Sequence, residues 1–273
     1  MPIVDCLQGR VFRAKMRFKG SSILVAVKVV KSWCRAASIT TLGEPCDKLV
    51  DSEMELLSAL SRNPHPNVVR MIGMFENERG DYNLAMELAS GNLSSYLEKH
   101  GPFPEGQARR FLAHILRGVA HCHRIGIVHF DLNTSNVLLF QEDSLVKICD
   151  FGLARQIYKR DTNREEQEFL SRRPFPLEEC IAAKLEDSFS IGIIFFQMLY
   201  GTLPFSSPDP SDVDFVSFSY GDLEEILLNL NLASIPVSPA AQDILRRLCY
   251  PRSVQDTPEE IIQTCPWLSQ FCG

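Results

Sequence analysis

Residues 129–136 read His129-Phe130-Asp131-Leu132-Asn133-Thr134-Ser135-Asn136, and fourteen positions beyond Asn136 the chain reads Asp150-Phe151-Gly152. Between the two strings lie the apolar run Val137–Phe140 and the strand-like Leu145–Cys149. An isolated Asp-Phe-Gly carries little information. Behind two short strands, and after Asp131 and Asn136, it carries far more. Well upstream, Ile23–Val30 is almost continuous in apolar residues and holds one charge, Lys28, at its middle. A lysine inside a strand of that composition needs a reason to be there.

Working outward, Phe12, Ala14, Met16 and Phe18 alternate with Arg13, Lys15 and Arg17, the period of a half-buried strand, and Gly20-Ser21-Ser22 turns the chain. Residues 31–47 read as a loop. Leu49, Val50, Met54, Leu57 and Leu60 recur at helical spacing until Pro64 and Pro66. Val68–Phe75 and Tyr82–Leu88 read as two more strands. Beyond Ser90-Gly91 helices dominate, at Ala108–Val119 and around 190–200, 222–232 and 239–249. The expectation is an α+β chain with a small antiparallel sheet lobe carrying one main helix, a hinge near 87–91, and a larger, mainly helical lobe.

Composition narrows the classes. The 273 residues include 28 Lys and Arg against 34 Asp and Glu, a net charge of −6, with 45% apolar and 23% charged residues. These are globular proportions, and the acidic balance argues against nucleic acid or an anionic membrane as main partner. No secretory signal is visible at Met1–Cys6, Ile191–Tyr200 is too short to span a bilayer, and a cytoplasmic or nuclear location is expected. Nine cysteines without paired C-x-x-C spacing read as reduced thiols. His121-Cys122-His123 lacks the matching ligand pairs of a zinc site.

Val25-Ala26-Val27-Lys28, the 129–136 string and Asp150-Phe151-Gly152 occur in the order and context seen in the eukaryotic-type protein kinase family, which the chain resembles. Glu53 on the first helix, Met86-Glu87-Leu88-Ala89, Asp187-Ser188-Phe189-Ser190-Ile191-Gly192, and Ala241–Leu245 through Pro266-Trp267-Leu268 extend the likeness over essentially the whole chain. The resemblance implies a bilobal kinase domain over 1–273, with an N-lobe of 1–89 and a C-lobe of 90–273. It implies ATP and Mg²⁺ as cofactors, a protein substrate or partner, no nucleic acid, no membrane, and a monomer. It implies phosphotransfer to serine or threonine, since no arginine stands near Ser135, or, as the alternative, a pseudokinase scaffold without transfer.

Residue by residue, the resemblance makes Lys28 the cation for the α/β-phosphates, held by Glu53 rather than Glu55, and Asp131 the group that accepts or orients the substrate hydroxyl's proton. Asn136 and Asp150 become Mg²⁺ ligands through hard oxygens. Gly9, Val11, Ala26, Met86, Glu87, Ala89 and Leu138 line the nucleotide, while Leu57, His129 and Phe151 stack between the lobes.

The departures are as informative. The glycine-loop slots hold Val4, Cys6 and Gly9, so two glycines that let backbone N–H groups approach phosphates are replaced. The chain begins three residues before this loop, which should shorten the first strand. Phe130 replaces the arginine that would pair with a phosphorylated activation segment, so phosphorylation of Thr162 or Ser171 should not act through that docking. Asn133 replaces the lysine two residues after Asp131. Arg173–Glu178 is the nearest string to an A-P-E segment, and its usual arginine partner would fall near Val254 and Gln255. Cys6 and Cys149 fall beside the nucleotide by the same resemblance, Cys149 reading equally as a small buried hydrophobe.

Overall fold

The computed structural model describes residues 2–6, 9–18, 20–30, 46–78, 80–141, 143–157, 176–220, 222–249 and 255–271. Thr162, Ser171, Val254 and the 173–175 part of the A-P-E-like string lie outside them. Side chains of 2–9 and 46–53, including Val4, Cys6 and Glu53, are also outside the description.

Strands β1 (Pro2–Cys6), β2 (Gly9–Phe18), β3 (Ser21–Val30), β4 (Met71–Glu76) and β5 (Tyr82–Glu87) form one antiparallel sheet in the order β1-β2-β3-β5-β4. The alternation read over 10–19 is the β2 pleat: β2 and β3 run in unbroken register from Gly9 opposite Val30 to Phe18 opposite Ser21. Val25, Val27 and Ala85 make this sheet's own small core. Helix α1 (Cys46–Arg62) brings Leu56, Leu57 and Leu60 into the larger core. Strand β4 begins at Met71 rather than Val68, because Val68 bridges to Ile148 of the second lobe.

The second lobe is built on α3 (Glu105–Arg124) and α4 (Leu177–Tyr200), with α2 (Leu93–His100), α5 (Val213–Ser219), α6 (Leu223–Asn229), α7 (Pro239–Cys249) and α8 (Pro258–Thr264) around them. A three-stranded sheet of β6 (Gly91–Asn92), β8 (Val137–Phe140) and β9 (Leu145–Ile148) carries the polar strings, and β7 (Ile127–Val128) pairs with β10 (Arg155–Gln156). Phe111, Leu112, Ile115 and Leu116 on α3 and Ile191, Phe195 and Phe196 on α4 are fully buried. Cys122, Cys249 and Cys265 are buried thiols outside any disulfide. Among the described residues no helix is long and apolar enough to cross a membrane.

Candidate active site

Register places the first group. Lys28 on β3 lies opposite Val11 on β2 and Leu84 on β5, and Ala26 lies opposite Met86 at the end of β5. Lys28 is only 5% exposed. Its Nζ donates to Asp150 Oδ1 at 2.8 Å, an ion pair that ties the sheet lobe to the Asp-Phe-Gly string. Burial would raise the Asp150 pKa, but the Lys28 charge and hydrogen bond outweigh it and hold the carboxyl below its ordinary value. Asp150 is therefore a fixed anion at neutral pH.

Two backbone positions beside the site are strained. Phe130 and Asp150 have φ of 60° and 63°, the left-handed region that non-glycine residues rarely occupy. What holds Phe130 there is visible. The carboxylate of Asp187, 1% exposed on α4, accepts from the backbone N–H groups of His129 and Phe130, each at 2.9 Å. His123 Nε2 donates to the same carboxylate at 2.8 Å. Burial alone would lower the His123 pKa. The hydrogen bond to Asp187, with Glu259 beyond it, reverses the sign and raises it. His123 thus belongs to a buried clamp on the 129–131 segment. Its place in the His-Cys-His string hid this, because sequence spacing tests for metal ligands and not for a partner 64 residues away.

Asp131 sits inside a ring of amides. Asn136 Nδ2 donates to Asp131 Oδ2 at 2.9 Å and to its backbone carbonyl at 2.8 Å. Asn133 Nδ2 donates to Asp131 Oδ1 at 3.2 Å, while Asn133 Oδ1 accepts from the backbone N–H groups of Ser135 and Asn136 and so caps the short 3₁₀ turn 134–136. His129 Nε2 donates to the Cys149 carbonyl at 3.0 Å, and its Nδ1 accepts from Asp131 N–H. Its ring lies 4.9 Å from that of Phe151, and Leu57 shares their core. Lys28 thus meets Asp150, Asn136 meets Asp131, and the Cys149 N–H donating to the Asn136 carbonyl at 3.0 Å links the two pairs.

Other expected residues stand as follows. Glu53 lies on α1, with its side chain outside the description, and its rival Glu55 is exposed. Val11, Ala26, Met86 and Leu138 are partly buried, and Ala89 follows β5. Glu87 turns its carboxylate away from the strand, accepting from Lys147 Nζ at 2.7 Å and from Arg70 N–H at 2.7 Å. Glu178 is exposed in the first turn of α4, whereas Gln255 donates its amide to the carbonyls of Leu185 and Leu248. A neutral amide bridging two helices thus stands where the family's arginine was sought. An exposed Glu178 leaves no buried carboxylate unpaired there.

The comparisons agree with this geometry. The model of the protein kinase domain matches residues 8–263. Mouse NUAK family SNF1-like kinase 1 is 30% identical over 74% of this chain and 29% of its own length. Human testis-specific serine/threonine-protein kinase 3 is 27% identical over 90% of this chain and 86% of its own. The first of these is thus matched over under a third of its length, as is the fission-yeast mitosis inducer protein kinase cdr1, with 30% of its length covered. The solved structure of the Rad53 kinase domain and SCD2 superimposes with a TM-score of 0.68 at 25% identity, covering 94% of this chain and 88% of that one. The chain belongs to the protein kinase family, and its fold is the bilobal protein kinase fold.

Proposed function

We propose that this chain transfers the γ-phosphate of Mg-ATP to serine or threonine hydroxyls of a protein. The observation that carries the reading is the ion pair of the buried Lys28 with Asp150, with Asp131 fixed through both carboxylate oxygens. Several relatives are named as serine/threonine kinases, which supports the substrate class.

The donor set fits the cofactor. Asp150 offers a carboxylate kept ionised, and Asn136, its Nδ2 committed to Asp131, keeps its carbonyl oxygen as a hard ligand. Bound Mg²⁺ would supply charge neutralisation on the phosphates. Lys28 would neutralise and align the α/β-phosphates, with Glu53 as its further support. Val11, Ala26 and Leu138 would cover the base, Gly9 would contribute to the phosphate loop, and Met86, Glu87 and Ala89 would line the adenine edge.

Asp131 would accept, or orient, the proton of the incoming hydroxyl. Each of its oxygens takes one amide donor and retains a lone pair for that proton. One specific observation favours the second reading, a scaffold without transfer. The residue two beyond Asp131 is a neutral amide fully occupied in holding the loop, so no cation stands there for the transferring phosphate. Loss of one such electrostatic group typically costs about 10²–10³ in rate, which slows transfer without abolishing it.

The deciding experiment measures phosphate transfer from Mg-ATP to the chain itself and to generic protein substrates, beside Asp131→Asn, with nucleotide binding followed by thermal shift. Transfer that disappears in the variant is the expected result. Binding without transfer above the variant's level would hand the chain to the scaffold reading.

A further inference from the structure

Helix α3 carries Arg109, Arg110, Arg117 and Arg124 and a single carboxylate, Glu105, in its first turn. Arg110, His114, Arg117, His121 and Arg124 follow one another at steps of four, three, four and three residues, which aligns them along one face. At 1.5 Å per residue the row is about 21 Å long, with a basic side chain every ~5 Å. At neutral pH the charge of the row rests on its three arginines, seven residues or about 10 Å apart, on a chain whose net charge is −6.

Arg110 lies over the Phe111 ring, 5.7 Å from its centroid. Among the described residues Arg110, Arg117 and Arg124 have no carboxylate partner. Arg110 Nε and Arg117 Nε and Nη2 are shielded from water without a hydrogen-bond acceptor. Arg124 Nη2 donates to His121 Nδ1 at 2.8 Å, and His121 Nε2 donates to the Asn63 carbonyl at 2.7 Å, so even the row's internal bonds run from cation to neutral ring to backbone. The histidines register the accumulated charge. Burial, then Arg117 and Arg110, bring His114 down to about 4.

His65 links the row to a cavity. His65 stacks on His121 with ring centroids 4.8 Å apart, and it also lines a pocket of about 310 Å³ whose walls include Leu60, Pro64, Val68 and Met71. Lys147 on the far wall is neutralised by Glu87. A basic track leading to a partly apolar socket matches a peptide with acidic residues and one apolar anchor. A nucleic acid would ask for a longer track on a less acidic protein.

We propose that this face of α3 and the adjoining cavity form a docking groove for an extended acidic segment of a partner protein. At about 3.3 Å per residue the track spans some six residues, with the apolar one seated beyond His65. The groove uses neither Asp131 nor Asp150, so its occupancy can be tested whether or not the chain transfers phosphate.

The test is fluorescence anisotropy with the full chain and a labelled peptide of five glutamates ending in leucine. Saturable binding is expected, weakening as salt rises toward 1 M, where the Debye length is about 3 Å. The double variant Arg110→Ala, Arg117→Ala should weaken it about tenfold or more, and a terminal serine in place of leucine should weaken it several-fold. Arg117→Lys should keep most of the affinity, and Arg62→Ala, an exposed arginine on α1, should leave it unchanged. Absence of saturable binding overturns the proposal, as does equal loss on Arg62→Ala. Tighter binding of a six-nucleotide poly-U strand overturns the assignment of the occupant. Should the double variant not fold, cross-linking from a benzophenone-bearing peptide to the unaltered chain decides. Adducts on α3 or residues 64–71 support the groove, and adducts elsewhere overturn it.

Discussion

Asn133 serves two groups with one amide. Its Nδ2 steadies Asp131 and its Oδ1 caps the 134–136 turn. Asn133→Lys should therefore act in two directions. It restores a cation near the transferring phosphate, and the transfer rate should rise about tenfold or more. It removes the cap, which costs about 1 kcal/mol and should lower the melting temperature by a few degrees. Transfer kinetics and a thermal melt on the same preparation check both. Phe130, 39% exposed, offers no charge to a phosphate. Thr162→Glu and Ser171→Glu should leave any transfer rate within about twofold, and a large activation in a kinase assay would contradict this. At this scale the sequence is most legible where a residue's chemistry is unusual for its surroundings. Lys28 in an apolar strand and Asp150 behind β9 stand out on that basis. The double duty of Asn133 does not, because its cap is a property of the turn that follows it.

Elements were legible in proportion to their apolar periodicity. β2, β3, α3 and α7 present it cleanly and lie where it placed them. α4 begins at Leu177, well before the apolar stretch near 190. Its first turns carry Glu178, Glu179, Lys184, Glu186 and Asp187, whose mixed character conceals a helix that buries Asp187 for the clamp. α2 is short and polar, and rests on a capping box between Asn92 and Ser95. Close packing of elements is less visible still, because it rests on an absence. A Cβ on Gly118 of α3 would stand 2.7 Å from both the Asn67 carbonyl oxygen and Ile148 Cδ1. Helix propensity alone would favour alanine there by about 1 kcal/mol. The carbonyl oxygen is backbone and cannot swing aside, so Gly118→Ala should instead destabilise by about 1–3 kcal/mol, measured as a lowered urea midpoint at unchanged slope.

On the scale of the whole molecule, two half-buried histidines and one fully buried histidine, shifted in opposite directions, set the response to pH. His65 and His114 are held down to about 4 by burial and neighbouring cations. Their unfolded pKa is about 6.5, so between pH 6.5 and 4 the unfolded chain binds protons that the folded chain refuses, and stability falls as pH drops. Glu259 and Asp150, depressed by His123 and Lys28 against the pull of burial, extend that loss below their ordinary values. His123 works the other way. Its raised pKa makes its contribution complete below about 6.5 and lost as pH climbs through the folded value. The melting temperature should therefore peak on a plateau and decline on both sides. In the double variant His65→Gln, His114→Gln the acid limb should flatten. In His123→Gln the alkaline limb should disappear, together with about 3–5 kcal/mol of stability, because Asp187 is left buried without its cation. Melts of the three proteins across pH 4 to 9 make the check, and an alkaline limb surviving in His123→Gln would show that another group sets it. The two limbs have different owners because His65 and His114 lie near the arginines of α3, while the same helix buries His123 against the aspartate that holds the backbone of His129 and Phe130.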